Sequence, residues 1–504
     1  MHVLHRYAAW LAFPVGALLS LAFAPFNAWP LAIVCPAFLF LVWEGAAPKR
    51  AAKLGFLFTA GTYVAGTYWL YNSVYVIGHA PLPVAIFLML GLAAIMGGYM
   101  AIVAYVQARW FPERGFARYL LALPAAWVLL EWVRGWLFSG FPWLALGYSS
   151  IDTPLAGTAP LVGAYGASWI YAVMAGAAAA LVIDLTNPAS HRRKIIAAAV
   201  ILLPWLMVYP LWKREWTQPF GGPVTVAVVQ GAVSQEMKWT LEQKAATLKL
   251  YRDLTLPHLG TDLVVWPEST LPAWADQLTD YLSNLWQEAR AHRSDMVIGQ
   301  IHVDEKDGRA YNSVLAMSDN VQWYNKHHLV PFGEYFPVPS FVREWMRLMS
   351  LPNADFAAGA ANQPLLHAAG QKIATTICYE DAYATTQLAN LKDATMMVNV
   401  TNDAWFGDST ARHQHLQIAR MRALEAGRPL VRAANDGISA IIDPEGIVTA
   451  QLPSFQSAVL KGEVQPRTGL TLFARVGNWP VVIGACLALL CAAMIRQRQP
   501  KPNL

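Results

Sequence analysis

The chain has 504 residues, 56% of them hydrophobic and only 14% charged, with a net charge of +5. A soluble globular domain carries about 25% charged residues, so this composition excludes a wholly water-soluble chain and puts much of it in lipid. The small positive balance is not a nucleic-acid footprint and reads as loop charge that sets topology.

A spanning helix needs about 20 apolar residues. Residues 1–215 supply seven such segments, near 7–25, 29–45, 54–78, 82–107, 117–137, 161–185 and 194–212, and an eighth lies near 477–495. Basic residues fall in alternate connections: Arg6; Lys49, Arg50 and Lys53; Arg109, Arg114 and Arg118; Arg192, Arg193 and Lys194; Arg496, Arg498 and Lys501. The loops between (FAPFNAW, GHAPLP, SGFPWLALGYSSIDTPLAG) carry almost none. Because positive loops stay inside, both termini are expected in the cytoplasm and the polar stretch on the far side. Residues 1–24 resemble a signal peptide ending at Ala22-Phe23-Ala24, but Pro25 after that site and the parity of the basic loops argue that this span is retained.

Within the fifth segment, Glu131 and Arg134 stand i, i+3 at a depth where ionisable groups face a bundle interior or a wet cavity; there they can pair on one helix face. The following GFPWLALGY reads as an aromatic belt at the outer interface, with a substrate role as the sharper alternative.

Residues 216–470 have ordinary globular composition and form a second domain, followed by the closing helix and tail at 471–504. Apolar, β-branched runs at Val224–Gln230, Asp262–Trp266, Met296–Ile301, Ala310–Met317, Val321–Asn325, Lys372–Ile377, Met396–Val400, Leu430–Ala434 and Gly437–Ile442 predict strands. Helical periodicity predicts helices from Trp239 to Leu256, at Leu282–Ala291 and at Gln414–Ala426. Strands alternating with helices make an α/β sandwich, whose sites lie at strand ends.

Three chemical groups sit at such ends. Glu268 follows Trp266-Pro267, Lys326 follows Val321–Asn325, and Cys378 ends the run IATTI. Of the four cysteines, Cys35, Cys486 and Cys491 lie in apolar segments, so Cys378 has no disulfide partner in the polar domain, and no Cys/His spacing implies a metal. A lone cysteine is most often a buried structural residue. Here its neighbours suit acyl transfer: a carboxylate to move protons, a cation for an oxyanion and a thiolate to hold the acyl group.

At this point the residues resemble a family. WPES around Glu268, YNKHHLVPFGE around Lys326 and CYE at Cys378 are similar to the Glu–Lys–Cys triad of the nitrilase (carbon–nitrogen hydrolase) superfamily. The wider pattern resembles the bacterial apolipoprotein N-acyltransferase family: GFPWLALGYS at 140–149, VVQG and KW within 228–239, TNDAWFG at 401–407, ARMRALEAGRPLVRAANDGISA at 419–440 and TGLTLFARVGNWP at 468–480. The resemblance covers nearly the whole chain. It implies a helical membrane bundle of about eight spans joined to an α/β nitrilase-like αββα sandwich on the periplasmic side of the inner membrane.

By that resemblance Glu268 is the general base, Lys326 the oxyanion stabiliser and Cys378 the nucleophile. Glu334 supports Lys326 or the base, and Tyr379, Glu380 and Trp239 are further essential positions. His327 and His328 invite a Cys–His reading, but the family has no catalytic histidine there, and they are expected to be structural or solvated. The implied reaction takes the sn-1 acyl chain of a phospholipid, typically phosphatidylethanolamine, through a Cys378 thioester to the α-amino group of the S-diacylglyceryl cysteine of an apolipoprotein. The partners are that lipid donor, that protein acceptor and the bilayer; no nucleic acid, metal or organic cofactor is implied. Residues 341–351, FVREWMRLMSL, read as an amphipathic piece that lies on the bilayer or closes over acyl chains, or as a core-packed helix. Two other classes compete: a membrane-tethered amidase using water, and a transporter or scaffold with an inactive polar domain. The filled triad argues against the second, and the lipid-side segments against the first.

Overall fold

The computed structural model describes residues 2–497 apart from 112–114, 186–189, 213, 236–237, 239–240, 306, 336–340, 342–343, 345–354 and 387. The chain forms two compact units, one of Met1–Glu215, Asp408–Gln417 and Val476–Leu504, the other of Trp216–Gly407 and Ile418–Arg475.

The first unit is helical. His2–Leu19, Leu31–Val42, Pro48–Gly66, Leu82–Trp110, Leu123–Arg134, Ala159–Asp184, His191–Trp212 and Trp479–Gln497 fall at the expected apolar segments. Among the described residues, four segments are long and apolar enough to cross a membrane: Leu82–Trp110, Pro154–Asp184, His191–Trp212 and Trp479–Arg496. Their outward faces expose Phe87, Ile102, Leu206 and Met207, a surface that fits lipid rather than water. The others are shorter or less apolar, the Pro48–Gly66 helix carrying Lys49, Arg50 and Lys53. Leu31–Val42 has only 12 residues, and the fifth segment begins as a π-helical turn, Ala117–Ala122, that runs straight on into the helix Leu123–Arg134. The third helix starts at Pro48 and stops at Gly66, well before residue 78, and a separate π turn follows at Asn72–Ile77.

Two sequence expectations need correction in this unit. Arg118, counted among the basic loop residues that set topology, is buried and donates to Glu44 Oε2 at 3.2 Å, Trp43 O at 3.0 Å and Gln107 Oε1 at 3.0 Å. A guanidinium offers five donors, and here the chain supplies acceptors in place of water. The GFPWLALGY stretch is no exposed belt: Trp143, Leu146 and Tyr148 are buried, and Trp143 Nε1 donates to Gln414 Oε1 at 2.7 Å. Glu131 and Arg134 engage separate partners. Glu131 Oε1 accepts from Trp127 Nε1 at 2.9 Å and Leu146 N at 3.0 Å, while Arg134 meets the Tyr63 hydroxyl.

The second unit is an α/β sandwich of two six-stranded sheets. A short pair, β1 (Gln218–Pro219) and β14 (Arg467–Thr468), stands apart. The first sheet holds β2 (Val224–Gln230), β3 (Leu263–Trp266), β4 (Asp295–Val303), β5 (Ala310–Met317) and β6 (Val321–Asn325), with β13 (Ala458–Val464) on its edge. The second holds β7 (Leu366–Ala368), β8 (Gln371–Ile377), β9 (Met396–Thr401), β10 (Leu430–Ala434), β11 (Ala440–Ile442) and β12 (Val448–Gln451). In each, three central strands run parallel (β2–β3–β4 and β8–β9–β10) and antiparallel strands flank them.

The sheets face each other. Val226, Val228, Val265 and Val297 of the first pack with Ile373, Ile377, Val398 and Val400 of the second in one buried cluster. The alternate residues, Ala227, Val229, Val264 and Ile298, pack outward with Leu282, Leu285 and Ala289 of the helix Thr279–Ala291. Both faces of these strands are covered, so the strands read as continuous apolar runs. Each buried Val or Ile removes from water a side chain that contributes about 1.5–3 kcal/mol.

Candidate active site

Three strand ends converge. β3 ends at Trp266, and Pro267 stops it, which leaves Glu268 just past the sheet. Gly299 on β4 lets that turn approach: a Cβ there would stand 2.2 Å from Pro267 O and 2.5 Å from Glu268 Cα. β6 ends at Asn325 and delivers Lys326, whose backbone N–H donates to Asn312 O at 2.8 Å. β8 ends at Ile377, and Cys378 opens a 3₁₀ turn with φ of +50°. A non-glycine residue in that region costs of order 1–3 kcal/mol, so its surroundings must hold it there.

Glu380 does the holding. It is fully buried; Oε2 accepts from Ile377 N at 2.8 Å, and Oε1 accepts from His327 N at 2.7 Å and His328 N at 3.1 Å. The Tyr324 hydroxyl donates to Oε2 at 3.1 Å. One carboxylate therefore clasps the nucleophile strand to the lysine loop. Burial raises its pKa, and the backbone donor Ile377 N–H, Lys326 and the two histidine N–H groups oppose that rise.

Lys326 is buried and donates to Glu334 Oε1 at 2.9 Å and Glu268 Oε1 at 3.3 Å. Burial by itself would lower its pKa; Glu334 first, then Glu268, reverse this and hold the ammonium well above its usual range. Glu334 is fixed in turn, its Oε2 accepting from Val330 N at 2.8 Å. Burial pushes the Cys378 thiol up, Glu268 adds to this, and Lys326 and the Thr401 hydroxyl pull the other way. The resting group is thus a thiol that a base must deprotonate.

Several residues here were not picked out from sequence. Asn312 Nδ2 donates at 2.7 Å to both Glu268 Oε1 and Glu334 Oε1, which bridges the two carboxylates. The Asn402 backbone N–H donates to Glu268 Oε2 at 2.9 Å. Lys238 is buried, and burial brings its ammonium down to about 8 against the pull of Glu268 and Asp436. Asn402 and Lys238 lay within the TNDAWFG and KW matches without being singled out; for Asn312 the signal was an amide inside an apolar run, where amides are rare unless hydrogen-bonded.

The structure brings Glu268, Lys326, Cys378, Glu334 and Glu380 together. Tyr379 packs edge-on against Tyr383, with ring centres 5.2 Å apart. His327 Nδ1 lies 2.7 Å from Gly359 O, and His328 stacks on Tyr383 at 4.2 Å, so both histidines have packing roles. Trp239 lies outside the described residues, as does the 341–351 piece apart from Phe341 and Glu344.

A buried carboxylate, an ammonium locked in its charged form and a strained thiol can together perform nucleophilic acyl transfer. The comparisons agree with this. Residues 15–177 match the family model described as the apolipoprotein N-acyltransferase N-terminal domain, and residues 225–471 match that of the carbon–nitrogen hydrolases. The chain is 40% identical to the apolipoprotein N-acyltransferase of Methylococcus capsulatus over 97% of this chain and 96% of that protein. It belongs to the apolipoprotein N-acyltransferase family. The relative from Azotobacter vinelandii is 41% identical over 97% of this chain and 95% of its own length. A solved structure of a CN-hydrolase superfamily protein from Xanthomonas campestris is 17% identical, with a TM-score of 0.37, covering 52% of this chain and 97% of that one. Both parts of an apolipoprotein N-acyltransferase are therefore present in one chain, and the converging groups lie in the carbon–nitrogen hydrolase part.

Proposed function

We propose that this chain transfers an acyl chain from the sn-1 position of a membrane phospholipid, typically phosphatidylethanolamine, to the α-amino group of the N-terminal S-diacylglyceryl cysteine of an apolipoprotein. Glu268 takes the Cys378 proton, and the thiolate attacks the ester carbonyl. Lys326 stabilises the oxyanion, with Glu334 and Asn312 holding it in place. Collapse breaks the ester C–O bond. The departing alkoxide takes the proton back from Glu268 and leaves as lysophospholipid, with the acyl group on Cys378 as a thioester. The acceptor amine then attacks the thioester, Glu268 removes the amine proton, and Cys378 leaves and is reprotonated.

The observation that carries this reading is the buried Glu268–Lys326–Glu334 cluster beside a strained Cys378. The lipid-facing helices support donors and acceptors that are themselves held in a membrane. In this reading 1–215 forms a seven-span bundle, 216–470 a periplasmic catalytic domain and 471–504 the eighth span and tail, with both termini cytoplasmic in the inner membrane. The test is turnover in mixed micelles. Phosphatidylethanolamine and a diacylglyceryl-cysteine peptide should yield lysophospholipid and N-acyl peptide in equal amounts, and Glu268→Gln or Lys326→Met should abolish both. Lysophospholipid and free fatty acid with no acylated peptide would instead make the chain a hydrolase.

A further inference from the structure

Behind the nucleophile lies a second charged cluster that this chemistry does not use. Arg432, Asp381 and Asp403 are all buried. Arg432 donates to Asn399 Oδ1 at 2.7 Å, to Asp403 Oδ2 at 3.0 Å and to Asp381 Oδ2 at 3.4 Å. Strand register carries this cluster to the sulfur. β8 and β9 pair in parallel as far as Ile377 opposite Val400, so Cys378 and Thr401 are the next residues of the two strands. Thr401 is fully buried, and its Oγ1 donates to Asp403 Oδ1 at 3.0 Å; the register sets this residue beside Cys378, and its hydroxyl pulls the thiol down. Asp403 is closely packed as well, since a Cβ on Gly437 would stand 2.2 Å from its Oδ2.

We propose that Thr401 is a reorienting hydrogen-bond donor to the Cys378 sulfur, with Asp403 and Arg432 as the positioning residues that aim it. This rests on the thioester reading above. A hydroxyl has one proton and two lone pairs. With Cys378 as a thiol, Thr401 gives its proton to Asp403 and offers its oxygen to the S–H. When Glu268 takes the thiol proton, Thr401 turns its own proton from Asp403 to the thiolate, and no covalent bond other than S–H is broken. Asp403 is then held by Arg432, whose charge offsets the repulsion between carboxylate and thiolate. The charged and titratable groups that face the sulfur are Glu268, Lys326 and Asp403. Glu268 and Asp403 oppose the thiolate and Lys326 favours it, which leaves the hydroxyl as a second stabiliser of the charge.

The experiment is alkylation of Cys378 by iodoacetamide in the full-length protein in detergent, followed on the Cys378 peptide by mass spectrometry across a pH series. Thr401→Val keeps the β-branched shape and removes the hydroxyl. It should raise the midpoint by about one pH unit, roughly tenfold less thiolate at any pH below it, the size of one charge-assisted hydrogen bond. Thr401→Ser should restore the original midpoint. Asp403→Asn still accepts from Thr401 but removes a negative charge, so its midpoint should fall. An unmoved midpoint in Thr401→Val, or a serine variant that behaves like valine, overturns the proposal. Should the valine variant fail to fold, Asp403→Asn decides alone, and a midpoint that does not fall overturns it. Alkylation needs no lipid, so either failure leaves the thioester chemistry standing. Conversely, an unsubstituted protein that alkylates as described but never forms an acyl-enzyme sinks the thioester reading instead.

Discussion

Asn312 shows how much of this site depends on one neutral side chain. It makes one short hydrogen bond to each of two carboxylates that also share Lys326. Without it, Glu268 and Glu334 would each lose a donor inside a buried site, where an unsatisfied polar group costs about 1–3 kcal/mol and a charged one more. We expect Asn312→Ala to slow acyl-enzyme formation roughly ten- to a hundredfold, about 1.4–2.8 kcal/mol of barrier, while the protein still binds lipid. Rapid-quench measurement of lysophospholipid release checks this, and an unchanged rate would show that Lys326 alone holds the carboxylates. That Glu268, Lys326 and Cys378 would stand out was legible because each is a polar residue at the end of an apolar run: Trp266-Pro267-Glu268, Tyr324-Asn325-Lys326, Ile377-Cys378. Asn312 was not, because it lies inside the strand Ala310–Met317 and its partners arrive from elsewhere in the chain. Lys238 stood in the KW match but was given no role, because its burial is a tertiary fact that the sequence does not show.

At the scale of elements, the site is held by turns that leave strands abruptly. Glu380 ties the Cys378 turn to the Lys326 loop, and Gly299 gives the Glu268 turn room. Gly299→Ala would drive a methyl group into the Pro267 carbonyl and Glu268 Cα, so Glu268 must move. A shift of about 1 Å in a reacting group costs up to roughly a hundredfold in rate. We expect that loss with secondary structure retained by circular dichroism; full activity would mean that the Glu268 turn has slack. The core strands were readable because both of their faces are covered, so the pattern is an apolar run. The edge strands Leu366–Ala368, Val448–Gln451 and Ala458–Val464 were not predicted. They are short or mixed with Lys461, Gly462 and Glu463, and their pairing depends on neighbours far away in sequence. The helix predicted at Gln414–Ala426 in fact begins at Ala411.

At the scale of the whole molecule, the apolar segments told where helices would form better than how long they would be. The third helix stops at Gly66 and a separate π turn follows at Asn72–Ile77, although hydropathy alone joins them. Arg118 shows the limit of counting loop charges, since it serves Glu44 in the interior. The remaining basic residues still fall on alternate connections, and on that ground we propose that both ends of the chain lie in the cytoplasm. A fluorescent protein fused after Leu504 should therefore fluoresce and alkaline phosphatase fused there should be inactive; the opposite pair of results would invert the orientation. The central claim is that Cys378 carries the acyl group between two lipid substrates. Intact-mass and peptide mass spectrometry of the purified protein incubated with phosphatidylethanolamine alone tests it most directly. The account predicts one acyl chain added to the Cys378 peptide, absent from Cys378→Ala and cleared by a diacylglyceryl-cysteine peptide. Turnover to N-acyl peptide with no acyl group ever found on Cys378 would contradict it.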